Sequence, residues 1–151
     1  MEKIMKKQTL SVIVTLSVIA ALSIAGFAGL NRNLRANIPF DFMVNGKKLP
    51  AGKYVIEDGV AASAMAIRSF ETKQAATSVT QGFQVPVGSK PKLVFHRYGS
   101  QYFLSQVISD LGGKELPKSK AEREAAKAGR DQLGMKDTAP EIITVSAQFG
   151  Q

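Results

Sequence analysis

The chain has 151 residues, 44% of them apolar, no cysteine, no tryptophan, one histidine and a formal net charge of +8. The missing cysteine excludes disulfides, thiolate nucleophiles, zinc–thiolate sites and iron–sulfur clusters, and the lone His96 excludes any metal site that needs two imidazoles. The length suits one small domain, and the charge bears on association rather than on fold.

Lys3, Lys6 and Lys7 precede a stretch from Gln8 to Asn31 without a charged residue, and Leu10 to Leu30 is interrupted only by Ser, Thr and Gly. A basic start followed by an apolar run is an export pattern. Signal cores run about 7–15 residues and a membrane-spanning helix about 20, so this run suits either role. Residues 1–28 are expected to be a cleaved signal peptide or an N-terminal membrane anchor. Ser23-Ile24-Ala25 and Gly26-Phe27-Ala28 both place small side chains at the −3 and −1 positions of a cleavage site. In either case the lysines stay cytoplasmic and the rest crosses the membrane, to be periplasmic or secreted, or anchored by residues 10–30. The run is apolar all round, which argues against a half-buried core helix. The leader carries +2, and half of the remaining +6 lies between Lys114 and Lys136. The rest is mildly basic, so nucleic acid is not an expected partner. An unidentified envelope component is, and so is the inner membrane if the leader is not cleaved.

Beyond the leader the apolar period becomes two. Ile38, Phe40, Phe42 and Val44 alternate with Asn37, Pro39, Asp41 and Met43, predicting a strand from about Ala36 that begins at Pro39 or lies at an edge. Asn45-Gly46 predicts a hairpin, and Leu49-Pro50-Ala51-Gly52 a second turn before a strand over 53–57 that Asp58-Gly59 ends. Further strands are predicted over 63–70, with Met65 and Ile67 on one face, and over 75–85, with Val79, Phe83 and Val85 in phase. After a loop from Pro86 to Pro91, residues 92–98 and 101–109 form a hairpin around Gly99-Ser100. Ser119 and Glu122 form a capping box that starts a helix running to about Arg130. Its apolar positions are only alanines, which bury too little area to hold it firmly. It reads as a solvated excursion or, more sharply, as a cationic element whose Lys118, Lys120, Arg123, Lys127 and Arg130 meet an anionic surface. Residues 142–149 return as a last strand. The expected fold is all-β: a small antiparallel sandwich or partly closed barrel of about seven strands, with an N-terminal hydrophobic helix and a short charged helix before the last strand. Residues 36–111 make the β-domain, 112–140 the charged helix and linker, and 141–151 the closing strand of the same domain.

The blocks Ala36-Asn37-Ile38-Pro39-Phe40-Asp41-Phe42, Leu49-Pro50-Ala51-Gly52-Lys53-Tyr54, Lys92 to Gly99, Gln101 to Leu104, and Glu115 to Glu124 resemble a family of small exported proteins common in acidobacterial genomes. The resemblance implies export and a single domain, and nothing about chemistry.

His96 is the only side chain of the usual general-base type, mid-strand, sharing a face with Val94 and Tyr98 and opposite in phase to Leu93 and Phe95. No G-x-S-x-G elbow accompanies it. Gly82 to Lys90 is not a phosphate loop, because five residues separate the glycines and Ser89 stands where lysine is needed. Glu122 and Glu124 are two apart on a helix and do not share a face. Tyr98 and Tyr102, on paired strands, form either a small recognition platform or a cross-strand pair. These residues support a noncatalytic exported module of the cell envelope, binding or structural, with His96, Arg97, Tyr98 and Tyr102 as candidate ligand contacts. The competing expectation is an enzyme whose pocket is lined by His96, Arg97 and Tyr98. No cofactor is implied.

Overall fold

The computed structural model describes residues 33–59, 61–133 and 139–150. The expected export helix and its cleavage sites lie outside the described residues. Eleven strands and one helix are described: β1 (Leu34–Ile38), β2 (Phe42–Val44), β3 (Lys47–Leu49), β4 (Gly52–Asp58), β5 (Ala64–Ser69), β6 (Ala75–Val79), β7 (Gln81–Phe83), β8 (Lys92–Tyr98), β9 (Gln101–Ile108), β10 (Gly113–Glu115), α1 (Lys120–Leu133) and β11 (Glu141–Phe149).

The strands pair in the order β9-β8-β11-β1-β4-β5-β6. One residue beyond β6, at Thr80, the chain continues as β7, which pairs with β10, and β10 pairs back onto β9. The sheet therefore curls into a nearly closed barrel with one helix. The β2–β3 hairpin fills the remaining seam. Met43 meets Phe103 of β9 on one side, while Lys47 Nζ and Asn45 Nδ2 donate to the carbonyls of Ala75 and Thr77 of β6 on the other, at 2.6 and 3.4 Å.

The turns form where the backbone chemistry asks for them. Asn45 and Gly46 both have positive φ, 49° and 81°, as the tight hairpin turn between β2 and β3 requires. Pro39 breaks the expected Ala36–Val44 strand, because it cannot continue the ladder; β1 stops at Ile38 and β2 begins at Phe42. Asp41, in the gap, accepts the Ala51 N–H at 3.0 Å and faces Lys48 at 3.2 Å. That backbone bond, more than the lysine, holds its carboxyl below the usual range. Tyr54 donates its hydroxyl to the Pro50 carbonyl at 2.7 Å and packs edge-on against Phe42, so the 36–42 and 49–54 blocks form one joint.

The core is the barrel interior, where Ile38, Phe42, Leu49, Tyr54, Met65, Ile67, Leu93 and Phe95 are buried. Met65 and Ile67 share the inward face, as expected. The phase of the next strand differs from the sequence reading. Ala76, Ser78 and Thr80 point inward, and Val79 is exposed. The ladder breaks at Thr80, where the chain passes from pairing with β5 to pairing with β10, and this divides the expected 75–85 strand into β6 and β7. The short strands β3 and β10 lack the length that makes alternation visible in sequence. A bulge between Val94 and Phe95 of β8 leaves Ser105 of β9 unpaired, so that Leu104 and Val107 both reach the core although they are three apart. The Ser105 carbonyl is not wasted: it accepts the Leu116 N–H at 2.8 Å and seats Leu116 in the core. Gly113 pairs with Phe83, whose ring covers the place a Cβ would take.

Among the described residues the Thr80 hydroxyl is buried without a hydrogen-bond partner. A buried unpaired hydroxyl costs about 1–3 kcal/mol, so Thr80→Val, which keeps the shape, is expected to hold or raise stability by about 1 kcal/mol. Urea unfolding of the variant checks this.

Candidate functional site

The candidate site lies where α1 crosses the outside of β8. Ser119 caps the helix, its Oγ accepting the Glu122 N–H at 3.2 Å. The inward face of α1 carries Glu122, Ala125, Ala126 and Gly129, spaced at i, i+3, i+4 and i+7, and Glu122 is the buried one. Its side chain is 5% exposed, and His96 Nδ1 donates to Glu122 Oε1 at 2.7 Å from a ring 16% exposed. The Tyr98 phenol lies beside the same carboxylate. Burial first, and the Glu122 charge and hydrogen bond second, push that phenol above its ordinary range. Around them the rings meet edge-on, with His96 and Tyr98 centroids 6.4 Å apart and Tyr98 and Phe103 5.9 Å apart. The alanines supply closeness and the carboxylate supplies the anchor.

The four candidate contacts divide between the two faces of the hairpin. His96 and Tyr98 lie under α1. Arg97 pairs with Tyr102 in the register and points to the other face, its guanidinium 5.4 Å from the Tyr102 ring centroid. Tyr102 in turn stacks on Phe40 at 3.9 Å. Arg97 is further held by the Gly99 carbonyl at 2.8 Å and Glu141 at 3.1 Å. Alternation along a strand separates neighbours in sequence, so Tyr98 and Tyr102 share no platform, and His96, Arg97 and Tyr98 do not converge as one lining. A groove of about 490 Å³ runs past the C-terminal half of α1, lined by Arg97, Tyr98, Gly99, Ala128 and Glu141 among others; His96 is not in its lining.

Lys118, Lys120, Arg123, Lys127 and Arg130 are all exposed. Glu124 and Asp131 stand among them, and Lys120 pairs with Glu124 at 3.8 Å. Arg123 also donates to the Lys118 carbonyl at 3.2 Å. The anchoring role of Glu122 goes beyond the cap read from the sequence, although its place among inward alanines is a signal for it. A second groove, of about 730 Å³, gathers Arg35, Asn37, Lys53, Phe70, Val145 and Gln148 from β1, β4, β11 and the turn after β5. Residues so far apart in the chain carry no common motif.

Among the described residues no group of three or more His, Asp or Glu side chains is placed to hold a metal, and no helix is long and apolar enough to cross a membrane. Comparison with protein-family models, curated proteins and solved structures finds no match to this chain.

Chemically, the cluster resembles part of a catalytic triad, yet its polar groups are turned toward one another. The imidazole Nδ1 is engaged by Glu122, beneath a helix, and the Tyr98 phenol lies beside the same carboxylate. Removing the carboxylate leaves the His96 donor without its partner. Glu122→Ala is therefore expected to cost about 1–3 kcal/mol, read as a loss in urea unfolding. A Glu122→Ala variant as stable as the parent contradicts the anchor.

Proposed function

We propose that the chain is a noncatalytic domain exported to the cell envelope, where its work is binding or structural. The observation that carries this reading is the use of the only imidazole: His96 is bonded to a buried carboxylate and holds a helix against the barrel. Export is supported by the three lysines ahead of the long uncharged run. In this reading the run forms the N-terminal helix, and the blocks resembling an exported acidobacterial family belong to the domain it delivers. A chain without cysteine suits such a domain only if its core suffices, and the filled barrel interior supplies one.

Fractionation of the producing cells, with mass spectrometry of the recovered protein, tests the reading. The expected product is periplasmic with an N-terminus at Gly26 or Gly29, or membrane-bound with the leader intact. A chain recovered from the cytoplasm contradicts export.

A further inference from the structure

We propose that one end of the barrel is a bilayer-contact surface, with the loop from Val85 to Pro91 and the turn from Ser109 to Gly112 as apolar tips that enter the headgroup region of a phospholipid membrane. The inference builds on the export reading, in the form that keeps the leader.

Strand register defines this end. Lys92, Ile108, Gly113 and Phe83 lie in one row across β8, β9, β10 and β7, and both tips project beyond that row. The chain also enters the barrel here. Leu34 pairs with Phe149, the Asn33 carbonyl accepts the Gly150 N–H at 2.8 Å, and Ala147 N–H donates to the Pro91 carbonyl at 3.0 Å. The 32 residues before Asn33, with their apolar run, therefore join the domain at the end that carries the tips. Of the large exposed apolar residues described, Val87 and Leu111 are the most exposed; Val87 is fully open and Leu111 is 77% exposed. Phe70, at the other end, lies under the Arg35 guanidinium, 5.3 Å from its ring centroid.

The charges agree with a lipid partner. Lys90 within the longer tip and Lys92 just after it place ammonium groups at this end for lipid phosphates. Of the acidic groups of this end, Asp58 pairs with Lys114 and Glu57 with Arg68 within the domain, and Asp110 lies in the shorter tip. A protein partner would meet the same tips, but a chain that arrives on an apolar run of membrane-spanning length brings this end to lipid first.

The cysteine-free sequence makes the test direct, because one introduced cysteine is the only labelling site. The full chain, leader intact, is reconstituted into phosphatidylethanolamine–phosphatidylglycerol vesicles carrying a headgroup nitroxide quencher. Fluorophores are placed at Val87→Cys, Leu111→Cys, Ser100→Cys at the opposite end, and Lys127→Cys on α1. Tips seated about 5–10 Å into the interface should be quenched roughly threefold more than the Ser100 label. Quenching of the tips no greater than that of Ser100 overturns the proposal. So does strongest quenching at Lys127, which would assign the contact to the cationic helix. Tips unquenched by lipid but shielded from aqueous thiol reagents in cells also overturn it, in favour of a protein partner. Export is read separately by fractionation: a cytoplasmic chain fails the export reading, whereas an exported chain with unquenched tips fails only this inference.

Discussion

The placement of α1 depends on one buried carboxylate. A helix whose inward face offers alanine and glycine has little apolar area with which to hold itself to a sheet. Glu122 replaces area with direction. It lies in the first turn, where the helix dipole favours negative charge, and its side chain receives a hydrogen bond from His96 on the outer face of β8, with the Tyr98 phenol beside it. Buried charge is tolerated because it is paired. The same contact ties the lone histidine into the packing of α1 against β8.

The barrel accommodates this arrangement through three irregularities. Pro39 ends β1 and lets the β2–β3 hairpin fold into the seam. The ladder breaks at Thr80, so that β6 pairs with β5 and β7 with β10. Ser105 adds a residue to β9, and its carbonyl receives Leu116. Leu116 is thus pinned three residues before the Ser119 cap, which sets where the helix starts. Two joints result: Asp41 with Ala51, and Ser105 with Leu116 followed by His96 with Glu122. Each joins segments that sequence inspection singles out as distinct blocks.

Much of this architecture is legible in the sequence. Runs of apolar and β-branched residues bounded by strong turn signals locate β4, β5, β8, β9 and β11, and Asn45-Gly46 marks its hairpin. Proline at position 39 warns of an edge but does not show that the strand divides. Val79, Phe83 and Val85 mislead because their common phase assumes one continuous strand, while the ladder is interrupted at Thr80. The candidate site was half visible. His96 and Tyr98 share a face by period two, and the same period separates them from Arg97; Tyr102 joins Arg97 only through cross-strand register. The role of Glu122 was concealed because its sequence context reads completely as a capping box. Only the fold brings position 122 to position 96.

An outward-facing cationic stripe, two grooves and apolar loop tips remain as surfaces through which the domain can act. The central claim is narrower and concerns the anchor. Native-state hydrogen exchange on His96→Ala tests it most directly, because local opening reports on α1 separately from the barrel. The account predicts that amides of α1 lose protection while those of β4, β5 and β8 keep theirs. Unchanged protection of α1 would contradict it.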